Sequence, residues 1–141
     1  MITMETDIKR AALIIVDMQN DFIHANGEFA QMAKRYPEIN IDHKFLSSPL
    51  SNVKKLAERF REAKRPVLYV AHVLKPDYSD AVFPYWRHSG PNTKRTTVEG
   101  TWGAQIVDEL TPHQGEHLII KKGFGGFSNT PLDTILRNLD V

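Results

Sequence analysis

The sequence predicts an α/β fold: a doubly wound, Rossmann-like and mostly parallel sheet with helices on both faces, of which this chain supplies the first three strands. Three short runs are apolar at nearly every position, which is typical of strands covered on both faces of a parallel sheet. Segments with apolar residues at helical spacing alternate with those runs, and this alternation favours right-handed crossovers. At 141 residues, the chain is long enough for one domain with its own core.

The predicted strands occupy residues 11–16, 66–71 and 117–120. The first ends at Asp17, and the third ends at Lys121 and Lys122. Functional groups of open α/β sheets lie at the carboxyl ends of the strands. We therefore expect a site at this rim of the sheet.

Three helical segments follow the strands. Ser48 and Pro49 predict an N-cap and first helical position for a helix that continues to about residue 63. A short helical pattern covers residues 102–110, and Thr130 is predicted as the N-cap of a last helix that reaches Leu139. The polar segments 20–47 and 75–100 carry no clear pattern, and loops of such length are usually functional.

The order of these elements predicts only half of a doubly wound sheet, with the strands in spatial order 3-2-1. In the complete architecture, ligands bind where the first strand meets the first strand of the second half. An apolar first strand on an open edge is a state that proteins normally avoid. We therefore expect residues 1–141 to form a single domain that lacks its C-terminal portion.

Composition excludes several classes of protein. The 18 Lys and Arg residues against 17 Asp and Glu residues do not predict a nucleic-acid surface, and no apolar run is long enough to span a membrane. The absence of cysteine excludes disulfides and cysteine-ligated zinc. Charges within the first ten residues argue against a signal peptide, so we expect a cytoplasmic protein.

The residues themselves leave the roles of the rim side chains open. Asp17 is either a catalytic carboxylate or a carboxylate that caps a loop, and Lys121 and Lys122 are either site cations or surface charges. A base and a cation form only part of a catalytic set, because a nucleophile is missing. Ser128 is a weak candidate for that nucleophile.

Two motifs resemble the isochorismatase-like cysteine hydrolase superfamily. They are Val16-Asp-Met-Gln-Asn-Asp-Phe22 after a strand, and Lys121 followed by Phe127-Ser-Asn-Thr-Pro-Leu-Asp133. Residues 100–110 and 129–137 are similar to the ureidoacrylate and carbamoyl-amide hydrolases of that superfamily. The resemblance runs from about residue 11 to residue 139.

The resemblance implies an Asp-Lys-Cys triad. Asp17 would be the acid and base, and Lys121 the cation, since Lys122 stands where relatives often have Pro. The nucleophilic Cys would lie beyond residue 141, at the start of the helix after the next strand. Phe22, Gln19 and Phe127 would contact substrate.

The resemblance implies a hydrolase of a small non-peptide amide of ureido or carbamoyl type, which releases ammonia or carbamate. The chain alone would lack the nucleophile and be inactive. We expect it to act as a homo-oligomer, or with a companion chain that carries the C-terminal half, without nucleic acid or membrane. The alternative is a shortened, non-catalytic paralogue that binds a small molecule or acts as an assembly subunit.

Neither a metal nor a cofactor is expected. Nicotinamidases of the superfamily hold a metal through Asp-x-His after the second strand, whereas residues 71–77 lack that motif, and His72 is predicted to be a strand-end histidine. The glycines after Lys122 fit a tight turn better than a phosphate loop. Whether Phe83, Tyr85, Trp86 and Arg87 line a pocket, form a subunit contact or pack on one another stays open.

Overall fold

A three-stranded parallel sheet forms the centre of the fold. The structure, a computed structural model, describes residues 10–82 and 96–141. The strands are β1 (Leu13–Val16), β2 (Val67–His72) and β3 (His117–Lys121), in spatial order β1-β2-β3. Val16 pairs with Val70, and Lys121 pairs with His72. The predicted strands and their order are confirmed, with bounds that differ by one or two residues.

In the part of the chain that the structure describes, five α-helices accompany the sheet. They are α1 (Asn20–Ile23), α2 (Glu28–Arg35), α3 (His43–Ser47), α4 (Leu50–Glu62) and α5 (Leu132–Asn138). Three 3₁₀ turns cover Pro37–Ile39, Trp102–Ala104 and Asp108–Leu110. The single short helix predicted over residues 102–110 is therefore wrong, because the chain there forms two separate turns. Phe83, Tyr85, Trp86 and Arg87 lie outside the described residues.

The N-terminus of α4 differs from the prediction by one residue. Helix α4 begins at Leu50 with Pro49 as its N-cap. Ser48 instead lies at the end of α3, where its hydroxyl donates to the carbonyl of Phe45. Helix α5 likewise begins at Leu132 with Pro131 as its N-cap, so the prediction of Thr130 as the N-cap is wrong by one residue, although the hydroxyl of Thr130 accepts the backbone N–H of Leu132 at 3.3 Å.

Helices cover both faces of the sheet. Alternate side chains of a strand point to opposite faces, so the odd-numbered and even-numbered residues of β2 belong to different cores. One core joins Tyr69 and Ala71 to α4, and the other joins Leu68 and Val70 to Leu132 of α5. The predicted arrangement of helices on both faces is confirmed.

Burial differs between the central strand and its neighbours. All six residues of β2 are buried, as expected for a strand covered on both faces. Val16 of β1 is 47% exposed, and Leu118 of β3 is 50% exposed. The expectation of two covered faces thus holds for β2 alone, because β1 and β3 each have only one strand neighbour among the described residues.

Candidate active site

Two oppositely charged side chains meet at the carboxyl rim of the sheet. The Nζ atom of Lys121, at the end of β3, lies 2.8 Å from Oδ2 of Asp17, the residue that follows β1. The ammonium also donates to the carbonyl of Phe124 at 3.0 Å. Lys121 is 3% exposed, whereas the Asp17 side chain is 36% exposed. The pair is therefore anchored from the lysine side and open on the aspartate side.

Asp17 adopts a backbone conformation that turns the chain sharply out of β1. Its φ angle is 57°, in the left-handed region that Asp tolerates better than most residues. Its N–H donates to the carbonyl of Val70, and its own carbonyl accepts the N–H of Gln19. The carboxylate oxygen Oδ1 has no hydrogen-bond donor among the described residues. That oxygen is buried, and its acceptor capacity is unused within the described residues.

The two adjacent lysines point to different places. Lys122 donates to the carbonyl of Val73 at 2.7 Å and pairs with Asp80 at 2.7 Å, so it fastens the segment that follows β2. Lys121 alone of the two contacts Asp17. The catalytic role expected of Lys121 rather than Lys122 stays a prediction.

His72 is a third polar side chain at the same rim. It is buried, and its Nδ1 lies 3.1 Å from the hydroxyl of Thr97. Burial lowers the pKa of His72 below its ordinary value of 6.5, and the positive charge of Lys121 lowers it further. The imidazole is therefore neutral at neutral pH, and it adds a dipole to the site without adding a charge.

A cavity of about 350 Å³ opens at this rim. Three of its lining residues are the polar side chains Asp17, His72 and Lys121. Apolar side chains form the remaining wall, and they are Val16, Met18, Phe22, Ile23, Phe29, Leu46 and Phe124. A concave, mostly apolar pocket with a few convergent polar groups is typical of a small-molecule site.

The structure separates the three predicted substrate contacts. Phe22 lines the cavity, and its ring meets that of Phe29 edge to face with centroids 4.8 Å apart. Gln19 is fully buried and does not line the cavity, and its amide hydrogen-bonds to the backbone of His72 and Ala104. Phe127 is 58% exposed and also lies outside the lining, so Phe124 is the aromatic residue of this turn that borders the cavity.

Other candidate groups lie away from the site. Ser128 is exposed and is not among the residues that line the cavity. Across residues 10–82 and 96–141, no group of three or more His, Asp or Glu side chains is arranged to hold a metal ion. Within the same ranges, no helix combines the length and the apolar character that crossing a bilayer requires.

The sheet with helices on both faces, and the Asp–Lys pair at its rim, define an isochorismatase-like α/β protein. The sequence model of the Isochorismatase domain matches residues 11–141, and the chain belongs to this family. The superfamily indicated by the two sequence motifs is thereby confirmed.

Curated relatives include ureidoacrylate amidohydrolases. The chain is 30% identical to the RutB ureidoacrylate amidohydrolase of Cronobacter sakazakii, over 94% of this chain and 60% of that protein. It is 32% identical to the RutB of Agrobacterium fabrum, over 89% of this chain and 58% of that protein. The chain therefore spans somewhat less than two thirds of the length of these relatives.

Solved structures agree with this relationship. An isochorismatase family protein from Desulfovibrio vulgaris superposes with a TM-score of 0.71 at 28% identity, over 92% of this chain and 62% of that one. The N-carbamoylsarcosine amidase from Thermoplasma acidophilum superposes with a TM-score of 0.62 at 30% identity, over 90% of this chain and 60% of that one.

Proposed function

We propose that this chain carries the acid–base part of a hydrolase that cleaves a small non-peptide amide of ureido or carbamoyl type. The observation that carries the proposal is the contact between Asp17 and Lys121 beside a cavity at the carboxyl rim of the sheet. The names of the relatives, ureidoacrylate amidohydrolase and N-carbamoylsarcosine amidase, support this substrate class.

In the proposed reaction, a cysteine thiol outside residues 1–141 is the nucleophile. Oδ1 of Asp17 accepts the thiol proton while Lys121 holds Oδ2, and the thiolate attacks the amide carbon. The protonated carboxyl then gives its proton to the departing nitrogen, which leaves as ammonia or an amine, and the acyl or carbamoyl group stays on the sulfur as a thioester; where that group is carbamoyl, the water step that follows releases carbamate. Water cleaves the thioester, with Asp17 again accepting and returning the proton.

The handedness of the fold supports a place for that cysteine. Helices α4 and α5 pack on opposite faces of the sheet. Because crossovers between parallel strands are right-handed, a strand that follows α5 belongs beside β1 rather than beyond β3. The carboxyl end of such a strand lies next to Asp17. Val16, which is 47% exposed, lies on the face of the sheet that α5 covers. A companion chain or a second copy could supply this strand equally well.

The alternative is a non-catalytic subunit that binds a small molecule. Its support is the lack of cysteine anywhere in the 141 residues, together with the exposed position of Ser128 outside the cavity. Both proposals use the same cavity, so binding alone does not separate them.

Ammonia release separates the two. The native protein, isolated with any companion chain and checked by intact mass, is incubated with ureidoacrylate, biuret, a carbamoyl amino acid and nicotinamide. The hydrolase proposal expects ammonia from a ureido or carbamoyl compound, and loss of that release in Asp17→Asn. If compounds bind in the cavity and none is turned over, the non-catalytic alternative is correct.

A further inference from the structure

Gln19 is a polar side chain near the site whose amide is engaged on both of its atoms. It is fully buried, and its amide makes three hydrogen bonds to the backbone. The Nε2 group donates to the carbonyl of His72 at 2.9 Å and to the carbonyl of Ala104 at 2.8 Å. The Oε1 atom accepts the N–H of His72 at 2.8 Å. Every polar atom of the amide is therefore used within the protein.

The Gln19 amide acts as an extension of the sheet. The last backbone bond between β1 and β2 is the one from the N–H of Asp17 to the carbonyl of Val70. Beyond it, the chain has turned away at Asp17, and His72 would face no strand on that side. The side chain of Gln19 satisfies both the N–H and the carbonyl of His72, as a strand residue would.

This bridge joins the two halves of the ion pair. On one side, the N–H of Gln19 donates to the carbonyl of Asp17 at 2.8 Å. On the other side, His72 is the direct sheet partner of Lys121. Gln19 thus links two parts of the rim. One is the turn that holds Asp17, and the other is the end of β2, which pairs with Lys121.

The third bond of the amide fastens a loop to the same point. Ala104 belongs to the 3₁₀ turn Trp102–Ala104, and the neighbouring Asn20 donates from its side chain to the carbonyl of Trp102 at 2.9 Å. The carboxylate of Asp21 accepts the N–H of Thr97 at 2.6 Å. Three consecutive polar residues therefore clamp residues 97–104 against α1, and only Gln19 also contacts β2.

We infer that Gln19 is a positioning residue, which holds Asp17 and Lys121 in register across the rim and does not bind substrate. An effect of Gln19 on catalysis rests on the proposed function, whereas its effect on the contact between Asp17 and Lys121 does not. Loss of the amide should leave the sheet folded and loosen the contact between the two charged groups.

Two variants of the 141-residue chain test this inference. Gln19→Met has nearly the same shape and removes all three hydrogen bonds, and Gln19→Glu keeps one acceptor for the N–H of His72. Gln114→Met is the matched control, because Gln114 is exposed and outside this network. The readouts are amide exchange at His72 and the ¹⁵N-detected NMR signal of the Lys121 ammonium. That signal depends on the hydrogen bonds of the ammonium to Asp17 and Phe124, which slow its exchange with water.

The expected result is graded. Amide exchange at His72 becomes faster by about tenfold in Gln19→Met, and by more in Gln19→Glu, because a buried carboxylate oxygen would then face the carbonyls of His72 and Ala104. The Lys121 ammonium signal weakens in the same order, while the far-ultraviolet circular dichroism of both variants and all signals of Gln114→Met stay unchanged.

Two results would overturn the inference. In one, His72 exchanges faster and the Lys121 signal keeps its full intensity, which makes Gln19 a structural bond only. In the other, neither variant folds at low temperature, which makes Gln19 a folding residue.

A kinetic measurement separates this inference from the proposed function. In the native hydrolase, Gln19→Met should lower kcat and leave KM within about twofold, because the interaction acts on the catalytic pair rather than on bound substrate. If no amide is hydrolysed but the Lys121 signal still depends on Gln19, the positioning role stands and the proposed reaction falls.

Discussion

The ammonium of Lys121 reaches the carboxylate of Asp17 across the end of β2, with 2.8 Å between Nζ and Oδ2. Lys121 ends β3 and Asp17 follows β1, and these outer strands lie about 9–10 Å apart because neighbouring strands are spaced by about 4.8 Å. The long lysine side chain and the left-handed turn at Asp17 together close that gap. The contact is therefore a product of the fold rather than of neighbours in sequence.

Asp17→Asn should abolish amide hydrolysis in the native protein, because an amide cannot accept the proton of the nucleophile. We expect kcat to fall by about 10²–10⁴-fold, the usual contribution of general acid–base catalysis. Ammonia release measures the loss. Asp133→Asn, which removes only an exposed pair with Arg137, is the control. Unchanged turnover in Asp17→Asn would remove this carboxylate from the mechanism.

The adjacent lysines offer a matched pair of variants. Lys121→Met removes the hydrogen bonds of the ammonium to Oδ2 of Asp17 and to the carbonyl of Phe124, at a cost of about 1–3 kcal/mol in unfolding free energy, and it should abolish hydrolysis. Lys122→Met removes bonds to Val73 and Asp80, lowers stability by a similar or smaller amount, and should retain hydrolysis. Urea denaturation and ammonia release measure the two effects. Equal loss of activity in both variants would contradict the assignment of Lys121.

An ion pair far from the rim should make stability depend on pH. Arg61 at the end of α4 donates to both oxygens of Glu116, at 2.8 and 2.9 Å, and also contacts the hydroxyl of Tyr69. Burial acts to raise the pKa of Glu116, but the hydrogen bonds from Arg61 and from the N–H of His113, together with the charge of Arg61, outweigh burial and hold that pKa below the ordinary 4.5. The interaction therefore stabilises the fold fully above about pH 4.5, and this contribution disappears as the pH falls through the lowered value.

Glu116→Gln should flatten that dependence. We expect a loss of about 1–3 kcal/mol in unfolding free energy at neutral pH and a smaller loss in acid, since the wild-type carboxylate is then protonated. Urea titrations of both proteins across the acid range measure the difference. A variant that loses the same free energy at every pH would show that the charge of Glu116 is not the cause.

Gly103 should tolerate no side chain. A Cβ at this position would lie 2.2 Å from Oδ1 of Asp21, a buried carboxylate that also accepts the N–H of Thr97. Gly103→Ala should therefore cost about 1–3 kcal/mol, as overpacking usually does. A Cβ at Gly126 would meet Val70 at an ordinary 3.5 Å, so Gly126→Ala should stay within about 0.5 kcal/mol of wild type. Thermal unfolding of the two alanine variants compares them directly.

The sheet was predictable because its signal is local. The apolar run at residues 66–71 predicted the central strand, and the observed β2 is shifted from it by one residue. The rim residues followed from strand ends and from the motif resemblance. The helices within residues 20–47 were missed, because α1 and α3 have only four and five residues, and the buried Ala30 and Met32 of α2 are two positions apart. That spacing does not mark one face of a helix.

The role of Gln19 could not be predicted from the residues next to it in the sequence. Its partners His72 and Ala104 lie 53 and 85 residues away along the chain. The sequence placed Gln19 beside Asp17 and so suggested contact with substrate, but burial of the side chain is decided by the packing of β2 and a distant loop. The choice between Phe124 and Phe127 likewise depends on how the glycine-rich turn is oriented, since both are aromatic residues of the same segment.

The outer edge of β1 should make the 141-residue chain prone to aggregate in solution. Four aliphatic residues in extended form, with unpaired backbone groups on one side among the described residues, are a template for other extended chains. Concentrated solutions of the 141-residue chain should therefore form edge-to-edge aggregates, detectable as light scattering that grows with protein concentration. Val16→Lys, at the most exposed position of β1, should repel such stacking and keep the material monodisperse.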